Sequence, residues 1–336
     1  MKKILILFIS AIIVNIQAQD LSSNLSMVAG QYAESYLQPF IDVYGAGMNS
    51  GFFHSARMYS NEDSKFNVSF SIQSMGSFVP SSEKYFSDMY YAATAYDTLG
   101  QEYIVNAKAT VNNAPTIFGS KTKGTVTTEM NDTVIVGGVF YYPVHQTRVN
   151  KTFGGLVSTD VAPLLVPQLN IGTLFGTEMF LRWIPPIRIG GYGTTNFFGV
   201  GVRHNFSQYL TAIPFNLAGG FYYQNFTMDD TTGKQFIGVS AIAANLQFSK
   251  SIGLFELYAA LQYEASNLNV SYQYVPSSGS GQNSNYRINV NFNIKGKNTY
   301  RILAGASYTL GAFYLNTDVN ISAISAFTFG IGYNIF

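Results

Sequence analysis

Ten residues late in the chain, Tyr286 to Lys295, read Tyr-Arg-Ile-Asn-Val-Asn-Phe-Asn-Ile-Lys. Tyr286, Ile288, Val290, Phe292 and Ile294 fill one set of alternate positions. Arg287, Asn289, Asn291, Asn293 and Lys295 fill the other. Successive side chains of a strand point to opposite faces, so this segment is a strand with one apolar and one polar face. A single strand of this kind would serve a soluble sandwich equally well. The constraint tightens because the pattern recurs and because the chain reads as exported.

The recurrence begins at Phe66, where Phe66, Val68, Phe70 and Ile72 oppose Asn67, Ser69, Ser71 and Gln73. From Pro167 it holds to the end. Phe198, Val200 and Val202 oppose Gly199, Gly201, Arg203 and Asn205; Phe313, Leu315, Val319 and Ile321 oppose Tyr314, Asn316, Asp318 and Asn320. In the last segment Phe329, Ile331 and Tyr333 oppose Thr328, Gly330, Gly332 and Asn334. Charged residues are 11% of the chain, well below the roughly 25% of soluble domains. Tyr (24), Phe (27) and Gly (31) are abundant. Low charge with alternating aromatic and small polar residues suits a barrel whose outer surface meets lipid. A secreted β-sandwich is the alternative fold, but it calls for more surface Lys and Glu.

The N-terminus reads as an export signal. Lys2 and Lys3 precede an apolar core from Ile4 to Ile16, and Gln17-Ala18-Gln19 offers a cleavage region. Residues 1–18 are therefore expected to be a cleaved secretory signal peptide. The core falls short of the about 20 residues that a membrane-spanning helix needs, and no later stretch reaches that length. Any further crossing must be by strands, which in lipid requires a closed barrel. The expected fold is all-β, a transmembrane outer-membrane β-barrel of about 12–14 antiparallel strands over residues 61–336.

Residues 19–60 are expected to form a short N-terminal helical plug or cap. Leu21, Leu25, Val28, Tyr32, Tyr36 and Phe40 carry a helical period over Asp20 to Val43, with Pro39 disturbing its end. Whether the segment fills the lumen or sits on the rim is open in the sequence. Pro80 to Val166 is expected to be irregular, with strand-like pieces at Tyr103 to Val111 and Thr133 to Tyr142. Even-numbered residues stay apolar through 286–294 and 300–308, which favours one long descending strand over 286–309. Its partner over 255–275 shifts its apolar face from odd to even near Ser266, which calls for a bulge there.

Glu178 and Arg182 lie four apart on one strand and so share a face. If Gly190-Gly191 centres the next turn, Glu178 falls opposite Arg203. These three, with Asn205, Glu256 and Arg287, are the lumen-facing candidates. They are either a solute site or an interior pair that fixes register. His54, His145 and His204 are scattered without metal spacing, and Asp229-Asp230 reads as a solvated loop. There is no cysteine, which removes thiolate ligands and a thiol nucleophile. No metal, cofactor or catalytic residue is expected, and the net charge of +1 gives no reason for a nucleic-acid partner.

The chain's order of features resembles the FadL-type outer-membrane transporters for long-chain fatty acids and other hydrophobic compounds. A signal peptide leads into an N-terminal plug, and a barrel runs to a C-terminal aromatic. The last third, Tyr300-Arg-Ile-Leu-Ala-Gly-Ala-Ser-Tyr308 and Phe313-Tyr-Leu-Asn-Thr-Asp318, is closest in texture. More narrowly, Ala114-Pro-Thr-Ile-Phe-Gly119, Gly176-Thr-Glu178, Leu181-Arg-Trp-Ile-Pro185 and Gly199-Val-Gly-Val-Arg-His204 resemble an uncharacterised family of Bacteroidota outer-membrane proteins. The Asn-Pro-Ala plug signature of the FadL type is absent, with Gly47-Met-Asn-Ser-Gly51 the nearest piece, so that family's ligand residues do not carry over. Phe336 also stands out of phase with Phe329, Ile331 and Tyr333. The resemblance implies a barrel folded by the barrel-assembly machinery into outer-membrane lipid. There it would mediate passive uptake or binding of a small hydrophobic ligand. The alternative is a structural or interaction barrel whose loops (Pro80 to Thr98, Lys121 to Asp132, Arg148 to Pro163) bind envelope or secretion components. An outer-membrane hydrolase is a third reading. A lumen packed solid would favour the interaction barrel.

Overall fold

The computed structural model describes residues 30–58, 66–96, 102–130, 134–136, 139–141, 146–172, 175–188, 193–210, 213–274 and 288–335. The signal peptide read at 1–18, the start of the expected helix, Gly190-Gly191, Arg287 and Phe336 fall outside those residues.

A helix, α1 (Gly30–Met48), precedes β1 (Asn67–Phe78). Next come β2 (Tyr85–Tyr96), β3 (Glu102–Pro115), β4 (Thr125–Met130), β5 (Val134–Val136), β6 (Val139–Tyr141) and β7 (Gln146–Lys151). They are followed by β8 (Val161–Gly172), β9 (Thr177–Arg188), β10 (Thr194–Asn205), β11 (Asn216–Asp229) and β12 (Gln235–Ile252). The chain closes with β13 (Phe255–Tyr274), β14 (Ile288–Lys295), β15 (Tyr300–Leu310), β16 (Phe313–Ile321) and β17 (Ala326–Asn334).

Ten of these strands close a ring in the order β1-β8-β9-β10-β11-β12-β13-β15-β16-β17, with β17 hydrogen-bonded back to β1. Every neighbouring pair is antiparallel. A closed ring leaves no unpaired edge, which is what lipid requires. Along β16, exposed Phe313, Leu315, Val319 and Ile321 alternate with buried Tyr314, Asn316, Asp318 and Asn320. Trp183, Phe221 and Phe329 likewise point outward, each about half exposed at 53%, 52% and 52%. Apolar outside and polar inside is the inverse of a soluble protein and the arrangement of a membrane barrel.

The wall has ten strands, not the about 12–14 expected for the length, for two reasons. First, β2, β3, β4 and β7 pair only with one another, in a separate antiparallel sheet between β1 and β8, and β5 with β6 makes a small hairpin. The stretch expected to be irregular is therefore largely a four-stranded sheet, followed by the first residues of β8. Second, β14 continues β15 and does not add a strand of its own.

That continuation bears out the long-strand reading and corrects how it was phased. β14 and β15 both pair with β13, at Leu268↔Ile294 and Tyr263↔Tyr300. The residue numbers of paired partners sum to 562 in the first case and 563 in the second (268 + 294 and 263 + 300). One extra residue is thus accommodated on the descending side, at 296–299. Across that step the even-numbered residues change face: Phe292 and Ile294 are buried, whereas Tyr300 and Ile302 are exposed. On β13 no bulge occurs near Ser266, since its register with β12 runs unbroken from Ile252↔Phe255 to Ile237↔Val270. The apolar side chains change faces because the surroundings change. Below Tyr263–Tyr300 the outside is apolar; above it, the inside is apolar, against α1.

Short turns join β12 to β13 and β15 to β16 at the end of the barrel where β1 starts and β17 finishes. We call this the turn side; the inserted sheet stands at the opposite, loop side. α1 occupies the loop-side lumen, with Ala33, Leu37, Ile41 and Val43 buried in one cluster with Val239, Leu268, Val270, Phe292 and Ile294. It runs further than expected, to Met48, with Pro39 inside it. An interior proline costs about 3 kcal/mol, but Phe40, Ile41, Val43, Ala46 and Met48 beyond it are all buried, and that burial outweighs the cost. Gly45 lets the helix press against β13, since a Cβ there would run into Ser266.

Candidate functional site

Beyond α1, residues 49–58 run through the lumen towards the turn side, and three inward-facing arginines hold them. Arg182 on β9, Arg203 on β10 and Arg301 on β15 point inward because strand alternation places them on the polar face. A guanidinium offers five N–H donors and no acceptor, so it suits a segment presenting backbone carbonyls. Arg182 Nη2 donates to the carbonyls of Ser50 (2.9 Å) and Gly51 (2.6 Å), and Nη1 to that of Met48 (3.3 Å). Its remaining bonds go to the side-chain oxygens of Gln168 and Gln224. Among the described residues no carboxylate bonds Arg182; Phe52 and Phe180 each present a ring 5.0 Å from its Cζ. Gly51 sits at φ +70°, and a Cβ there would crowd the Arg182 Nη2 at 3.3 Å, so glycine is required on both counts.

Arg301 donates to the carbonyls of Ala46 and Asn49, to the Ser50 hydroxyl, to Asn320 and to Glu264 (2.8 Å). Arg203 donates from Nε to Glu178 (2.6 Å) and from Nη1 to the Ser55 carbonyl (2.6 Å) and Gln247. Between these clamps, Phe52 stacks on Tyr222 with centroids 4.0 Å apart, and Phe53 meets Tyr258 edge-on. Below them, Asn205 donates to the Met58 carbonyl (3.2 Å).

At the turn-side end the clamp opens into a cavity of about 210 Å³, lined by Ser55, Arg57, Glu178, Arg203, Glu256 and Ser307 among others. Ser55 donates to Glu256 Oε1 (2.8 Å) and Ser251 to Oε2. His54, also on this cavity, stacks on Tyr314 with centroids 3.9 Å apart. The lining is mostly polar.

Glu178 and Arg203 pair in direct register, as expected from the turn position. Arg182 shares their face but belongs to a separate cluster one layer nearer α1, and Asn205 holds the end of the plug. Glu178, Arg203 and Glu256 meet at the cavity. The sequence reading overlooked Arg301, although it directly opposes Gln262 in register. A lone arginine between Tyr300 and Ile302 was the available signal. The glutamines at 168, 224 and 247 were also passed over, because an amide on a polar face gives no hint of its partner. His204 bonds Thr177 and Tyr209 beside the first turn, and Asp230 ties its own turn through Thr232 and Lys234; both are local devices. Among the described residues no group of three His, Cys, Asp or Glu could hold a metal ion.

A model described as a family of unknown function, DUF6588, matches residues 1–335. The chain belongs to that family. No curated protein matches it. Among solved structures, this DUF6588 chain is similar to a loop-deletion mutant of OmpT, an outer-membrane protein of Vibrio cholerae (9% identity, 80% of this chain and 99% of that one, TM-score 0.25). It is also similar to the β domain of the Bordetella autotransporter BrkA (8%, 80% and 99%, TM-score 0.28) and to OccAB4 of Acinetobacter baumannii (10%, 82% and 99%, TM-score 0.21). At such scores these likenesses carry no argument; the barrel is established by its own strand ladder and outward apolar belt. Both place it in an outer membrane, where closed β-barrels with this belt reside.

Proposed function

We propose that the protein mediates passive uptake or binding of a small compound and is closed at rest by residues 30–58. One observation carries this reading: in the turn-side half, beside one aromatic cluster at Phe52 and Phe53, the plug's main-chain oxygens at 48–52, 55 and 58 are held by hydrogen bonds from charged and amide side chains. A permanent filler would be more stable if apolar, because buried charges cost several kcal/mol to desolvate and are often replaced by hydrophobic residues without loss. Groups that water can also satisfy make a contact able to part and re-form. The hydrophobic solute implied by the FadL-type resemblance is not favoured by the turn-side cavity, whose lining is polar.

Planar-bilayer recording of the full chain tests the reading. The expected result is a closed wild type with brief openings that become frequent in Arg182→Ala. A folded Arg182→Ala barrel that stays silent would overturn it. A second reading, an interaction barrel, draws support from the filled lumen and from the inserted sheet on the loop side, whose β7 carries Val149 at 66% exposure. Photo-crosslinking from position 149 in cells, with no envelope protein captured, would remove that alternative.

A further inference from the structure

We propose that the turn-side cavity binds a small zwitterion, a compound of about amino-acid size carrying one ammonium and one carboxylate group. This rests on reading the barrel as a solute-binding protein and names the solute class. Four charged side chains line the cavity: Glu178, Glu256, Arg57 and Arg203. Two are acidic and two basic, so their formal charges cancel, and a ligand carrying both signs keeps that balance.

These groups are only partly engaged. Glu256 is buried and held by two hydroxyls, and among the described residues it makes no ion pair. A carboxylate has about four lone-pair sites, so Glu256 can still accept from an ammonium, and an unpaired buried carboxylate gains most from one. At Glu178, Oε1 receives Arg203, and Oε2 receives no hydrogen bond from the described residues. Arg203 spends Nε and Nη1 on Glu178, Ser55 and Gln247 and leaves Nη2. Arg57 is exposed, and its guanidinium makes no ion pair or hydrogen bond among the described residues. An acceptor lacking a cation and a donor lacking an anion thus line one space. The volume of 210 Å³ equals about seven waters at roughly 30 Å³ each, enough for a compound of that size. A pure cation or anion would engage one end only, and a hydrophobic compound neither.

Equilibrium dialysis of radiolabelled γ-aminobutyrate against the full chain, folded in detergent, tests the assignment. We expect retention of γ-aminobutyrate and about tenfold weaker retention of butylammonium and butyrate, each of which lacks one charge-assisted contact. Glu256→Gln and Arg57→Ala should each weaken γ-aminobutyrate by a similar factor. The Arg57 guanidinium is exposed and holds none of the described residues, so its variant keeps the fold even if Glu256→Gln does not. Absence of retention, retention unchanged in Arg57→Ala, or equal retention of butyrate or glucose would overturn the assignment. Dialysis needs no movement of the plug, so a failure here leaves the gated reading standing. A barrel that binds but never conducts would fail that reading alone.

Discussion

On the loop side, α1 lies against Leu268, Val270, Phe292 and Ile294, and the contact is apolar. On the turn side, residues 48–58 meet Arg182, Arg203, Arg301, Gln168, Gln224 and Gln262 through hydrogen bonds to main-chain oxygens, with the Phe52 and Phe53 rings packed on Tyr222 and Tyr258 between them. The same ten-stranded wall surrounds both. Separating the apolar half exposes surface at about 25 cal/mol per Å² with nothing gained in return. Separating the polar half exchanges protein partners for water, at a net cost of about 0.5–1.5 kcal/mol per hydrogen bond. One half is therefore built to stay, and the other to part without unfolding the wall.

Four substitutions or conditions probe that contrast. Arg182→Ala should have the largest effect, about 3–5 kcal/mol of lost stability, because the buried carbonyls of Ser50 and Gly51 lose their donor; denaturant unfolding in detergent measures it. Leu268→Ala should cost about 3 kcal/mol through the cavity it leaves against α1, yet leave the bilayer current at the wild-type level. If Leu268→Ala conducts as readily as Arg182→Ala, the two halves are not distinct. Glu178→Gln should cost about 1–3 kcal/mol, since Arg203 keeps Ser55 and Gln247 but loses its carboxylate. A lowered temperature of heat-modifiability on a gel is the readout, and an unchanged one would remove the register role of the pair.

The smallest effect concerns pH at the loop side, where Lys297 bridges Asp42 of α1 (3.1 Å) and Glu83 (2.6 Å). Burial raises the Asp42 carboxyl above its ordinary range, with Lys297 and Gln38 opposing. A carboxyl raised by folding contributes stability that is present in acid and lost as pH rises through its folded value. Lys297 is pulled down by burial but more strongly up by Glu83 and Asp42, so it sits above the ordinary lysine value. Its contribution holds through neutrality and is lost only in strong alkali. Amide exchange within α1 should slow modestly below neutral pH and quicken in strong alkali, and Asp42→Asn should abolish the acid limb alone.

Much of the wall was legible in the sequence because alternation there answers to one fixed contrast, lipid outside and polar lumen inside. Phe313 to Ile321 could be read correctly with no knowledge of its neighbours. Tyr286 to Lys295 could not, although its alternation is just as regular. Its asparagines face water and its Phe292 and Ile294 face α1, so the same pattern means the opposite orientation above the membrane. Period alone says that two faces differ, not which environment each meets. The strand count failed for a related reason, since β2 to β7 have strand composition but pair among themselves. Within the lumen, Glu178 and Arg203 were found because opposite charges in register announce each other. Arg182 was placed on the right face but binds mostly main-chain oxygens, and Arg301 divides its bonds between main-chain oxygens and side chains; main-chain partners have no letter in the sequence.

Hydrogen exchange read by mass spectrometry on wild-type and Arg182→Ala barrels in bilayers tests the two-part plug most directly. The expected result is that Arg182→Ala loses protection across residues 49–58 while residues 33–46 keep theirs, because the apolar contact of α1 does not depend on the arginine. Protection lost across both stretches together, or across neither, would contradict a plug whose turn-side half parts on its own.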